Sequence, residues 1–156
     1  MPTFQNQVIL PCSPAEVFDF LRTPANRIRL APPDAPLELL EGPPLLESGS
    51  RTTWKLRSYG FSQMVKLEVT ACEPPTRLVE EQREGPLRRW VQTVTVTPAP
   101  EGAAVHDQID YEPPGGMLGF LVTAAKIEEA LAITFTWRDQ KLREQFSSGS
   151  RRSSSH

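Results

Sequence analysis

Cysteine and histidine are scarce in this chain of 156 residues, which contains two of each. Cys12 and Cys72 lie far apart and lack the paired spacing of metal ligands, so the sequence predicts neither a disulfide framework nor a metal site. No apolar run reaches the roughly 18 residues that a membrane-spanning helix needs, and no secretory signal pattern opens the chain. These absences predict a reduced, cytoplasmic protein without a membrane span.

An excess of charge of one sign is also absent. The chain has 17 Lys and Arg against 19 Asp and Glu, for a formal net charge of −2. Such a balance gives no general attraction to nucleic acid, so no nucleic-acid partner is predicted. A nucleophile elbow, a phosphate-binding loop and a dinucleotide fingerprint are missing as well. We therefore expect no cofactor and no covalent chemistry.

Proline, in contrast, is abundant, and its 16 residues divide the chain into segments. The sequence from Ser13 to Glu16 forms a capping box that predicts a short helix, and a second helical turn is expected at Asn26–Leu30. Segments in which apolar and polar residues alternate predict strands. These segments are Thr3–Leu10, Leu37–Glu41, Arg51–Tyr59, Phe61–Ala71, Thr76–Glu84, Leu87–Thr97 and Ala103–Glu112.

The remaining stretch, Met117–Phe146, contains no proline and predicts one long helix. Its apolar face consists of Phe120, Ala124, Ile127, Leu131, Phe135, Leu142 and Phe146. Short connections between the strands favour antiparallel pairing. The expected fold is therefore α+β, with a curved antiparallel sheet of about seven strands around the C-terminal helix. Residues 1–146 are predicted to form one domain, and residues 147–156, which lack apolar side chains, a disordered tail.

Four stretches of the chain resemble a known superfamily. They are SPAEVFDFLRTPAN (residues 13–26), GPLRRW (85–90), DQIDYEPPGGMLG (107–119) and FTWRDQKL (135–142). In order and spacing they resemble the START-related superfamily, which includes birch-pollen-allergen-like proteins and polyketide cyclases, and in particular its small bacterial members. The resemblance implies a helix-grip fold with a cavity for apolar small molecules between the sheet and the long helix. It also leads us to expect a histidine where this chain has Gln92.

Three polar residues fall on faces that the periodicity predicts to be apolar. Asp107 and Tyr111 share the inward face of the last strand, and Arg138 interrupts the apolar face of the helix. A buried carboxylate must be paired or have a raised pKa. Asp107 could act in proton transfer or hold a ligand hydroxyl, or it could have a structural partner in Trp90, Tyr111 or Arg138. Arg138 could bind an acidic ligand group, or it could extend to water.

We expect a cluster of Asp107, Tyr111 and Arg138, because the arginine could bridge two side chains that lie about 13 Å apart along a strand. A pocket of roughly 300 Å³ or more is expected beside it. The candidate ligand-binding residues are Trp54, Phe61, Trp90, Gln92, Asp107, Ile109, Tyr111, Leu131, Phe135 and Arg138.

The main functional hypothesis is binding or transport of a hydrophobic or amphipathic molecule, such as a lipid, a sterol-like or a polyketide-like compound. One alternative is an enzyme of the cyclase or dehydratase kind, in which Asp107 and Tyr111 transfer protons. Another alternative, which the resemblance also allows, is a protein-interaction module like those of chaperone co-factors. Ile133 and Trp137 lie on the outer face of the predicted helix among charged residues. This pattern is typical of a homodimer or partner surface, or of a face that the early helices or loops cover.

Overall fold

A computed structural model of the chain describes the backbone of residues 2–58 and 61–154, and the side chains of residues 2–57 and 62–147. The strands are β1 (Thr3–Leu10), β2 (Leu37–Glu41), β3 (Arg51–Ser58), β4 (Phe61–Glu73), β5 (Arg77–Glu84), β6 (Arg89–Ala99) and β7 (Gly102–Glu112). The helices are α1 (Pro14–Leu21), α2 (Pro24–Leu30), α3 (Leu118–Leu121) and α4 (Ala124–Ser154). The predicted elements are present, with boundaries shifted by a few residues. Tyr59, the predicted end of the third strand, lies outside the described residues.

The seven strands form one antiparallel sheet in the order β1-β7-β6-β5-β4-β3-β2. From β2 to β7 each strand pairs with the next one in sequence, as the short connections predict. Strand β1 pairs with β7 over its whole length, from Thr3 opposite Asp110 to Leu10 opposite Ala103. The sheet, the long C-terminal helix and the short helices after β1 confirm the predicted α+β helix-grip fold.

Helix α1 begins at the predicted capping box. The hydroxyl of Ser13 accepts a hydrogen bond from the backbone N–H of Glu16, and the Glu16 carboxylate accepts one from the N–H of Ser13. This reciprocal arrangement satisfies two backbone donors that a helix start leaves free. The helix then buries Val17, Phe18 and Leu21, in contact with β6 and β7.

The buried apolar side chains form two clusters. The larger one joins α1 to the inner face of the sheet and to the second half of α4, where Leu142 and Phe146 are buried. The smaller one lies under the first half of α4 and contains Phe4, Ile109, Tyr111, Ile127, Leu131 and Phe135. Five of the seven predicted positions on the apolar helix face are therefore buried: Ile127, Leu131, Phe135, Leu142 and Phe146.

The prediction of one unbroken helix from Met117 is wrong at its start. The chain forms the short helix α3 and then breaks at Val122, before α4 begins at Ala124. The side chain of Thr123 takes the role of a cap, since its hydroxyl accepts a hydrogen bond from the backbone N–H of Lys126 at 3.3 Å. Because of the break, Phe120 is not on the buried face of α4 and is 83% exposed.

The long helix continues past Phe146, its predicted last residue, and disorder of residues 147–156 stays a prediction. Helical backbone continues to Ser154, through most of the segment 147–156 that the composition predicts to be disordered. Phe146 is the last buried residue among the described side chains, which end at residue 147. Extending an established helix costs little per residue, however, and does not require an apolar face.

Candidate ligand-binding cavity

A cavity of about 310 Å³ lies between the inner face of the sheet, helix α2 and helix α4. Its walls are mostly apolar, with side chains from β2 to β6, from the connections around Pro32 and Pro86, and from both helices. The polar side chains at the wall are Arg27, Gln82, Gln92, Thr134 and Arg138. A concave, mostly apolar space with a few polar groups is typical of a small-molecule site.

Six of the predicted ligand-binding residues line this cavity: Trp54, Trp90, Gln92, Leu131, Phe135 and Arg138. The prediction of a pocket at this place is confirmed, whereas direct ligand contact by these residues stays a prediction. Asp107, Ile109 and Tyr111 are fully buried but do not line the cavity. The side chain of Phe61 lies outside the described side chains. Period-two alternation identifies the inward face of a strand, but it does not separate cavity wall from solid core.

Asp107 and Arg138 form the buried ion pair that the sequence predicts. Both terminal nitrogens of Arg138 donate to the carboxylate, Nη2 to Oδ1 at 2.8 Å and Nη1 to Oδ2 at 3.0 Å. The amide of Gln92 donates a third hydrogen bond to Oδ2 at 3.0 Å. The guanidinium also lies over the ring of Phe135, with Cζ 4.7 Å from the ring centre. A bidentate charged pair of this kind fixes both side chains beside the cavity.

Tyr111 does not join this cluster, and that part of the prediction is wrong. Its hydroxyl donates to Oε2 of Glu128 at 3.0 Å and lies 3.3 Å from the carbonyl oxygen of Ala124. Burial, the hydrogen bond to Glu128 and the charge of that carboxylate raise the pKa of Tyr111 to about 12. Tyr111 lies further along β7 than Asp107, so it meets the first turns of α4 instead of the turn that carries Arg138.

A second buried ion pair was missed at the sequence level. Arg27 of α2 donates to Glu80 of β5 through both terminal nitrogens, at 2.6 and 3.0 Å, and its Nε donates to the carbonyl oxygen of Leu21 at 2.9 Å. Glu80 is buried, and Arg27 lines the cavity. The signal was available, since Glu80 alternates in phase with the apolar Leu78 and therefore belongs to the inward face.

A third buried polar contact attaches the edge strand to the long helix. The amide of Asn6 in β1 donates to both carboxylate oxygens of Asp139 at 3.1 and 3.2 Å. Burial raises the pKa of Asp139, and the opposing effects of Asn6, Arg138 and Arg143 are smaller. Asp139 directly follows Arg138 on α4. Arg138 therefore binds the helix to β7 and Asp139 binds it to β1.

Comparison with known proteins supports the relationship that the motifs indicate. A sequence profile described as "Polyketide cyclase / dehydrase and lipid transport" matches residues 1–137. The chain belongs to this family. No curated protein matches it.

Several solved structures share the fold of this chain at low sequence identity. Protein CV1439 from Chromobacterium violaceum has a TM-score of 0.74 at 15% identity, with 94% of this chain and 98% of that chain covered. TTHA0849 from Thermus thermophilus has a TM-score of 0.66 at 17% identity, with coverage of 90% and 97%. Ara h 8.0201 has a TM-score of 0.62 at 14% identity, also with coverage of 90% and 97%. At these identities the similarity establishes the fold alone.

Three further observations concern metal ligands, membrane-spanning helices and the position of Gln92. Within residues 2–58 and 61–154, no three His, Cys, Asp or Glu side chains lie close enough together to hold a metal ion. Over the same part of the chain, no helix is both long and apolar enough to span a membrane. The position at which the resemblance leads us to expect a histidine is occupied by Gln92, whose amide donor is used on Asp107.

Proposed function

We propose that this protein binds a hydrophobic or amphipathic small molecule without covalent chemistry and acts as a carrier or receptor for it. The observation that carries the proposal is the apolar cavity of about 310 Å³ between the sheet and helix α4. Membership of a family that includes lipid-transport proteins supports the same interpretation. Aromatic and aliphatic walls favour an apolar ligand because binding removes its surface from water.

The alternative of a cyclase or dehydratase that uses Asp107 and Tyr111 receives less support. General acid–base catalysis requires the catalytic group to be within hydrogen-bond reach of the substrate. Neither residue lines the cavity, and each is engaged elsewhere, Asp107 with Arg138 and Tyr111 with Glu128. An enzyme of this family would need other residues of this chain for proton transfer.

A protein-interaction module, the other alternative, has no need of an internal space. In such a module we expect the side chains between sheet and helix to be packed against each other. The open volume bordered by Trp54, Trp90 and Phe135 therefore favours a small-molecule ligand.

The proposal can be tested with the neutral fluorescent probe N-phenyl-1-naphthylamine, whose emission rises when it enters an apolar site. The substitution Leu67→Trp places a large side chain in the cavity, because Leu67 belongs to its lining. We expect the Kd of the probe to rise at least about tenfold, which corresponds to about 1.4 kcal/mol of binding free energy. Met64→Trp is the matched control, since Met64 lies on the same strand but is 56% exposed.

Equal binding of the probe by both variants and the wild type would contradict the proposal. Overpacking a strand costs about 1–3 kcal/mol, so thermal unfolding of each variant must show that it is folded at the temperature of the binding assay. Native mass spectrometry of protein purified from its own host would then identify the bound molecule. We expect a mass excess that organic extraction removes.

A further inference from the structure

The charged side chains at the cavity wall are already paired with carboxylates of the protein. Among the described lining residues the charged ones are Arg27 and Arg138. Arg138 binds Asp107 through both terminal nitrogens, and Arg27 binds Glu80 in the same way. Both carboxylates are buried behind the wall, so each pair has a formal charge of zero.

A ligand with a carboxylate would therefore meet no unpaired cation in the cavity. It would have to give up its water shell without a compensating charge, which is strongly unfavourable. Alternatively it would draw Arg138 away from Asp107 and leave that fully buried carboxylate unpaired. An uncharged ligand has neither difficulty.

The same ion pair leaves hydrogen-bond donors beside the cavity. A guanidinium has five N–H donors, and Asp107 accepts from the two terminal nitrogens of Arg138. The second N–H of each terminal nitrogen is not used by Asp107, and Arg138 lines the cavity. A carbonyl or ether oxygen suits such donors because it accepts a hydrogen bond without carrying a charge.

We propose that the ligand is an uncharged, mainly apolar molecule with a carbonyl or ether oxygen that hydrogen-bonds to Arg138. The pairing of Arg138 with Asp107, and of Arg27 with Glu80, excludes carboxylates of the fatty-acid type. This inference rests on the proposed function, because it specifies the class of ligand for the same cavity.

The test compares two probes of nearly the same shape, 2-tridecanone and dodecanoic acid. Both carry the same eleven-carbon chain on a carbonyl group, whose other substituent is a methyl group in the ketone and a hydroxyl group in the acid. Their affinities for the wild type are measured at neutral pH by displacement of N-phenyl-1-naphthylamine. The acid is ionised under these conditions. We expect 2-tridecanone to bind at least about tenfold more tightly.

Two substitutions then change the charge of the wall. Asp107→Asn leaves Arg138 without a neutralising partner, and Glu80→Gln does the same for Arg27. In each variant we expect the preference to shift at least about tenfold towards dodecanoic acid, because the freed guanidinium now binds the carboxylate. Glu80→Gln also serves as the second variant if Asp107→Asn does not fold.

The possible results separate the inference from the proposed function. If the wild type binds dodecanoic acid as tightly as 2-tridecanone or more tightly, the inference is overturned while the proposed function stands. A preference that stays unchanged in the folded variants would equally overturn the role of the ion pairs. If the naphthylamine and both probes fail to bind the wild type, the proposed function fails, and the inference fails with it.

Discussion

The ion pair between Asp107 and Arg138 should make a large contribution to the stability of this fold. Asp107 is fully buried and accepts three hydrogen bonds, two from Arg138 and one from Gln92. Asp107→Ala removes all three and leaves a buried guanidinium without its hydrogen-bonded carboxylate. Breaking a buried pair in this way costs about 3–5 kcal/mol. This is a large share of the roughly 5–15 kcal/mol by which a domain is stable.

The prediction is best tested with a double-mutant cycle of wild type, Asp107→Ala, Arg138→Met and the double variant. The double variant leaves no unpaired charge, and methionine replaces the arginine by an unbranched apolar side chain. We therefore expect it to be more stable than the sum of the single effects implies, with a coupling energy of about 2 kcal/mol or more. Urea unfolding followed by tryptophan fluorescence gives the four free energies, provided that the m-value is unchanged.

An exposed pair provides the control for this cycle. Lys66 and Glu84 lie on adjacent strands with Nζ and Oε2 3.4 Å apart, and both side chains are well exposed. Exposed pairs contribute about 0–1 kcal/mol, so Lys66→Ala should be nearly neutral. If Asp107→Ala and Arg138→Met are also nearly neutral and their effects add, the buried pair does not stabilise the fold and our reasoning is wrong.

The remaining predictions concern other positions of α3 and α4. Burial raises the pKa of Asp139, so the folded protein holds that proton more tightly than the unfolded chain, and stability is lost as the pH rises through the raised pKa. Asp139→Asn should therefore be more stable than the wild type at neutral pH. Urea unfolding should show that this difference in the free energy of unfolding disappears at a pH well below the ordinary carboxyl pKa. Phe135→Ala should lower the free energy of unfolding by about 3–5 kcal/mol, whereas Phe120→Ala, at an exposed position, should change it by no more than about 0.5 kcal/mol. Equal losses in thermal unfolding would contradict the helix break. Ile133 is 58% exposed and Trp137 is half-buried, so we expect a homodimer through this face of α4. Sedimentation velocity should show a dimer for the wild type and a monomer for Trp137→Glu. A wild-type monomer at high concentration would refute the dimer.

Local patterns were sufficient to predict most of the fold. Period-two alternation between prolines located all seven strands, and the capping box located α1, because both signals depend on neighbouring residues alone. Pairing in sequence order then followed from the short connections. The pairing of β1 with β7 brings together the first and the last strand of the chain, and no local signal specifies it.

The candidate site was predicted in part for the same reason. Asp107 and Arg138 each stood out as a charged residue on an apolar face, and a buried charge requires a partner. The sequence could not show that Tyr111 would meet Glu128 instead. That choice depends on where α4 begins, because Glu128 lies in the first turns of the helix that follows the break at Val122.

The sequence by itself determined the order and type of the elements, the inward faces of the strands, and the need of two buried charges for partners. Only the tertiary structure decided which inward residues border open space and which are packed solid. Ile109 and Gln92 lie opposite each other on adjacent strands and face the same way, yet Gln92 lines the cavity and Ile109 does not. Ile109 instead packs in one cluster with Leu131 and Phe135 of α4, and such contacts between residues far apart in the chain have no signal in the local sequence.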